Sequence, residues 1–130
     1  MHEFSFCQGI VDALKTEWQE HNLGSQARLV EVKVVIGRLH QVIEENMQMA
    51  YSVLTRETFA RDSRLTITYV DIRYQCNSCG HTGRVDPPLF TCSHCNTGDI
   101  RITAGKELYL EKLEVNQPDE DAGTDAIPTD

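Results

Sequence analysis

The chain has 130 residues, 12 of them basic and 20 acidic, for a net charge of -8 at pH 7. That length bounds it to one domain, or one small domain carrying a subdomain, with a real but modest core. No apolar run reaches the roughly 18 residues a membrane span needs, and the start carries Glu3 and Asp12 without a basic n-region, so it does not read as a secretion signal and the expected compartment is the cytoplasm.

Five of the acids lie in the last fifteen residues, NQPDEDAGTDAIPTD, which hold no base; residues 1–115 alone carry -3. A body this mildly acidic lacks the clustered Lys and Arg of a general phosphate-binding surface, so neither a nucleic acid nor a membrane is expected as partner.

In chain order, Ser5 to about His21 predicts a helix, with Cys7, Ile10, Val11, Leu14 and Trp18 on one apolar face. Ser5 and Gln8 fit a capping box that starts it, leaving Met1, His2 and Glu3 as a short arm. The stretch HNLGSQ ends the helix, and Arg28–Ile36 alternates as a half-buried strand stopped by Gly37. Helical spacing returns from Gln41 to about Thr58, with Ile43, Met47, Ala50, Tyr51 and Leu54 on one face, and Leu65–Ile72 is β-branched enough for a second strand. Glu107–Val115 predicts a strand whose alternation slips between Leu110 and Leu113.

Between these, residues 73–100 hold four of the five cysteines, three glycines, two prolines and few large apolar side chains. A segment so poor in core residues needs a staple. The expected fold class is therefore α+β: a small mixed β-sheet with two helices, plus an inserted zinc-ribbon-like subdomain. Residues 1–72 and 101–115 would form the main domain, 73–100 the subdomain, and 116–130 a disordered acidic tail.

The cysteines are spaced Cys76-x2-Cys79-x12-Cys92-x2-Cys95. Two thiolates three positions apart can grip one ion from a single turn, and Gly80 and Asn96, which follow the pairs, tolerate the left-handed backbone such turns use. Four thiolates around one ion favour tetrahedral Zn(II) in a closed, structural site. Iron in the same cage and thiol redox chemistry are the chemical rivals. His81 and His94 lie beside the cage, either as exposed loop histidines or as groups able to exchange with a cysteine. A nucleic-acid ribbon is poorly supported: Arg73, Arg84 and Arg101 stand against Asp86 and Asp99, with Tyr74 and Phe90 the only aromatics.

The opening Met1-His2-Glu3 has a chemistry of its own. A free α-amine, the deprotonated amide of the second residue and that residue's imidazole form adjacent chelate rings, a nitrogen set that square-planar Ni(II) and Cu(II) prefer. The Glu3 amide could supply a fourth nitrogen. The ordinary alternative is a solvated N-terminal histidine.

The stretches MHEFSFCQ, VVIGRL, the paired cysteines and ITAGKELYLEKLEV, in this order over residues 1–115, resemble the HypA/HybF family of nickel chaperones for [NiFe]-hydrogenase maturation. The resemblance implies nickel at Met1, His2 and Glu3, zinc at Cys76, Cys79, Cys92 and Cys95, and a small sheet with two helices and an inserted zinc subdomain. It implies as partners a HypB-type GTPase, the hydrogenase large subunit and, in some members, urease maturation proteins, for a monomer or weak homodimer. The sequence departs from the family pattern at CSHCN, at LTRETFARDSRL and at His40, which follows VVIGRL and is a candidate to approach the nickel site.

Other residues read as structural. Cys7 reads as a buried inert thiol, and Met47 and Met49 read as packing. Glu44 and Glu45 are adjacent and share no helix face, so they make no acid/base pair. No phosphate-cradling loop or nucleophile–base set is visible, so an enzyme is not expected. The function expected is a nickel metallochaperone; the rival is a zinc-ribbon interaction module that transfers no metal.

Overall fold

The computed structural model describes residues 2–21 and 26–116, together with the backbone of 124–128. Within them run α1 (His2–Glu20), β1 (Arg28–Gly37), a 3-10 turn (Arg38–His40), α2 (Glu44–Thr55), β2 (Arg64–Val70), β3 (Ile72–Cys76), β4 (Thr82–Val85), β5 (Ile100–Ala104), β6 (Leu108–Asn116) and β7 (Thr124–Pro128). The strands form a four-stranded sheet, β2-β1-β6-β7, and a three-stranded sheet, β4-β3-β5. The class is the expected α+β, with two helices among the described residues. None of those helices is long and apolar enough to cross a membrane.

The chain divides into two compact units, residues 1–34, 42–67 and 109–130, and residues 35–41 and 68–108. In the first, the spacing of Cys7, Ile10, Val11 and Leu14 puts all four on one buried face of α1. Burying an aliphatic side chain of this size stabilises by about 1.5–3 kcal/mol. The face packs on α2, which returns Met47, Ala50 and Tyr51, and the Cys7 thiol donates to the Met47 carbonyl at 3.4 Å. Burial pushes that thiol up to about 11, as an inert cysteine requires. Trp18 stacks on Phe59 at 4.5 Å. In β6 both Leu110 and Leu113 are buried, which is the slip in alternation seen in the sequence.

Two expectations about helix ends are corrected. The first helix begins at His2, not Ser5. Gln8 reaches forward to Asp12 at 3.0 Å instead of back to Ser5, and Glu3, buried, accepts the Ile43 N–H at 3.0 Å. That contact spans forty residues and outweighs the local capping box. Ile43 itself is exposed, because it stands before α2 in extended conformation rather than on the helix face.

In the second unit β3 pairs antiparallel with both neighbours: Ile72 faces Val85 across β4, and Tyr74 faces Ile102 across β5. The inner face carries a small core of Ile72, Tyr74, Cys76, Val85 and Cys92, against which Leu39, Phe90, Ile100 and Ile102 pack. The sequence predicts one strand from Leu65 to Ile72 and none in 73–100. The chain instead breaks at Asp71, and β3 uses Ile72, Tyr74 and Cys76 as its inward residues.

Of the tail expected to be disordered, 117–123 and 129–130 lie outside the described residues, while the backbone of 124–128 pairs antiparallel with β6, Ala126 opposite Glu114.

Candidate metal centre

The end of β3 with the turn after it, and a turn within residues 86–99, bring the four paired cysteines together. Their sulfur atoms all lie within 4.8 Å of one another. Cys76 Sγ is 3.6 Å from Cys95 Sγ, and Cys79 Sγ is 3.7 Å from Cys92 Sγ. Four thiolates bound to zinc at about 2.3 Å stand about 3.8 Å apart in a tetrahedron. The donor set, and the two closest sulfur pairs in particular, therefore fit a tetrahedral thiophilic ion.

Each pair sits in the same turn. In the first, the Ser78 and Cys79 amides donate to Cys76 Sγ at 3.3 and 3.4 Å, the Gly80 amide to the Cys76 carbonyl at 3.1 Å, and the Cys76 amide to the His81 carbonyl at 2.8 Å. In the second, the His94 and Cys95 amides donate to Cys92 Sγ at 3.3 and 3.5 Å, the Asn96 amide to the Cys92 carbonyl at 2.8 Å, and the Cys92 amide to the Thr97 carbonyl at 2.8 Å. Both turns close on a left-handed residue, Gly80 at φ +80° and Asn96 at φ +63°, the conformation these two residue types tolerate.

Those amides act on the thiols. The Cys79 N–H, with that of Ser78, holds Cys76 below the usual thiol range against its desolvation. Desolvation alone would raise Cys92, but the amides of Cys95 and His94 and the Tyr74 hydroxyl outweigh it and bring the thiol down to about 6. In each turn the amide donors thus favour the thiolate form, the form that binds metal, at the buried sulfur.

The two histidines beside the cage stack on each other, ring centroids 5.6 Å apart, and His81 Nε2 lies 3.5 Å from Ser93 Oγ. Neither belongs to the four-sulfur group. A residue that motif reading passed over is Tyr74: buried, it accepts the Ser93 amide at 3.0 Å and so ties the core to the second turn. Its inward place on β3, two residues before Cys76, was the available signal. His40 gives a ring nitrogen to the Lys106 carbonyl at 2.9 Å.

Of the N-terminal set, Met1 lies outside the described residues. His2, exposed, opens α1 with its ring edge-on to Phe6 and Nε2 3.5 Å from Glu3 Oε2. The amides of His2 and Glu3 fall in the first turn, where no N–H has an acceptor within the helix. The Ile43 amide holds the Glu3 carboxyl below the ordinary carboxylate range against its desolvation, with Glu3's own amide and His2 adding to the effect.

The fold and the sulfur cage define a small α+β protein with a four-cysteine metal site. The family model described as hydrogenase/urease nickel incorporation, metallochaperone, hypA matches residues 1–115, and the chain belongs to this HypA family. It is 32% identical over 116 residues to the hydrogenase maturation factor HypA of Rhodopseudomonas palustris (strain BisA53), covering 89% of this chain and 100% of the relative. The HypA of Desulfitobacterium hafniense (strain DSM 10664 / DCB-2) is 31% identical over 117 residues, 90% of this chain and 100% of the relative. The solution structure of the Ni metallochaperone HypA from Helicobacter pylori shares the fold, with a TM-score of 0.57 at 20% identity over 85% of this chain and 94% of that one. A second solution structure of a HypA protein gives 0.59 at 21% identity, over 87% and 94%.

Proposed function

We propose that this protein is a nickel metallochaperone of [NiFe]-hydrogenase maturation, a carrier and not a catalyst. The observation that carries the reading is the family match over residues 1–115, which takes in both Met1–Glu3 and all four paired cysteines. Ni(II) is the cargo. The Met1 amine, the His2 amide and imidazole, and the Glu3 amide would hold it in a square-planar nitrogen set. In such a chelate the imidazole bonds through Nδ1, the nitrogen that closes a six-membered ring with its own amide. In the structure His2 Nε2 faces Glu3 Oε2 at 3.5 Å, so a chelate through Nδ1 would leave Nε2 free for the carboxylate contact that orients metal-bound imidazoles.

Zn(II) is the resident ion of the cage, held by Cys76, Cys79, Cys92 and Cys95. A closed four-thiolate site leaves no position for substrate, so its work is structural. In this reading the first unit is the nickel-binding domain, and the second, residues 35–41 and 68–108, is the zinc subdomain. His40, His81 and His94 stay outside both primary ligand sets. The carrier works in the cytoplasm as a monomer or weak homodimer. Its partners are a HypB-type GTPase and the hydrogenase large subunit, with urease maturation proteins as further clients.

The test is equilibrium nickel and zinc titration of protein with its native start, of His2→Ala, and of a form extended at the N-terminus. The extension replaces the amine with an amide, and His2→Ala removes the imidazole. Both should abolish nickel uptake and leave the zinc content unchanged. Nickel uptake indifferent to both changes would favour the rival interaction module without metal transfer.

A further inference from the structure

The three-stranded sheet has an outer face with no part in the cage. The register that turns Ile72, Tyr74 and Cys76 inward turns Arg73 and Gln75 outward. It sets Arg84 directly opposite Arg73, and Arg101 directly opposite Gln75. All three arginines are exposed.

Two like charges directly opposite across a ladder destabilise it. Part of that repulsion is relieved at one end, where Arg84 lies 3.8 Å from Asp71 and 3.6 Å from Asp86, and Asp71 also takes Arg38 at 3.0 Å. The rest is not relieved. Among the described residues, Arg101 reaches the neutral Gln75 and no carboxylate pairs with Arg73 or Arg101. Among the described residues, then, Arg73 and Arg101 keep their forks unclaimed by a carboxylate, on a chain with eight more acids than bases.

We propose that this face, centred on Arg73 and Arg101, docks an extended acidic segment of a partner protein. Arg101 pairs with Gln75, two residues along from Arg73 and one strand across, so the two Cα atoms stand diagonally about 8 Å apart, a gap that two long side chains can close to the roughly 6.7 Å repeat of same-side residues in an extended peptide. Every second residue of such a peptide can present a carboxylate, and each arginine can take one through two parallel N–H···O bonds. Single-stranded nucleic acid fits less well. It needs aromatic rings to stack its bases, and Tyr74, the aromatic of β3, is buried on the opposite face. The inference is independent of nickel and of the N-terminal residues.

The probe is a fluorescent twelve-residue peptide of alternating Glu and Ser, titrated by anisotropy into the full-length, metal-loaded protein at low salt, with an alternating Lys/Ser peptide and a thymidylate 20-mer as comparisons. Arg73→Gln with Arg101→Gln should weaken Glu/Ser binding about tenfold or more. Lys at both positions should restore only part of it, since an ammonium lacks the fork. Arg56→Gln with Arg61→Gln, an equal charge change on the first unit, should leave it within about twofold. Amide shifts on adding the peptide to unaltered protein should centre on β3, β4 and β5, a readout that needs no variant. No saturable binding, an equal loss in both double variants, or tighter binding of the oligonucleotide would each overturn the proposal.

Discussion

Gly37 and Gly105 touch through their backbones: a Cβ on Gly37 would lie 2.0 Å from the Gly105 carbonyl oxygen and 2.6 Å from the Lys106 nitrogen. The Gly37 amide donates to the Glu107 carbonyl at 2.7 Å, and the Gly105 carbonyl accepts the Leu39 amide at 3.0 Å. Gly105 holds φ +113°, which side chains rarely adopt. Neither backbone can retreat without losing these bonds. Gly37→Ala should therefore destabilise by about 3 kcal/mol or more in urea unfolding, by displacing main chain. Gly9, on the exposed side of α1 with nothing within 4 Å, gives the contrast: Gly9→Ala should stabilise by about 0.5–1 kcal/mol.

These two glycines stand in VVIGRL and ITAGKELYLEKLEV, so the resemblance read from those stretches has a steric basis. The helical faces, the first strand and the cage were legible because each is a local pattern: a spacing of three and four, an alternation, a pair of C-x-x-C turns. What was not legible depends on contacts far apart in sequence. The start of α1 follows from Glu3 meeting Ile43, and no window of the sequence contains both. The three-stranded sheet was hidden for another reason. Cys76 and Cys92 are core residues as well as members of the sulfur cage, so counting them only as candidate ligands leaves 73–100 without an apolar side.

Glu3 offers a titratable test of its contact with α2. Glu3→Ala removes the acceptor of the Ile43 amide and should lower the urea midpoint by roughly 0.5 M. Glu3→Gln keeps an acceptor oxygen and should lose less. The folded carboxyl titrates below its unfolded value, held there first by the Ile43 amide. Its contribution is therefore complete above the ordinary carboxylate range, about pH 4.3, and is lost as pH falls through the lowered folded value. The difference in midpoint between the unaltered protein and Glu3→Gln should be constant near neutrality and shrink as the solution is made strongly acidic.

Removal of the cage ion should be felt mainly in the second unit. Its core is five buried residues, two of them cysteines, so without the ion little holds the two turns together. A strong chelator should raise amide exchange across β3, β4 and β5 while α1 and α2 keep their protection. Because the thiols lose protons on binding, metal affinity should fall with pH. Cys92→Ser should weaken the unit more than Cys79→Ser, since Cys92 is fully buried against the core and Cys79 is exposed.

Tyr74 separates packing from hydrogen bonding in the same unit. Its ring lies in the core over Gly83, 3.2 Å from where a Cβ would stand, and its hydroxyl accepts the Ser93 amide at 3.0 Å beside the second cysteine turn. Tyr74→Phe keeps the ring and leaves that amide without its acceptor, at a cost of about 1–3 kcal/mol if water does not replace it. The hydroxyl also helps hold Cys92 low, so its loss should make that thiolate less available. The expected result is an unchanged fold with faster transfer of the cage ion to a competing chelator, measured as release rate against chelator concentration. A release rate equal to that of the unaltered protein would mean that the second turn holds its shape through its own amide–sulfur bonds, with no help from the core.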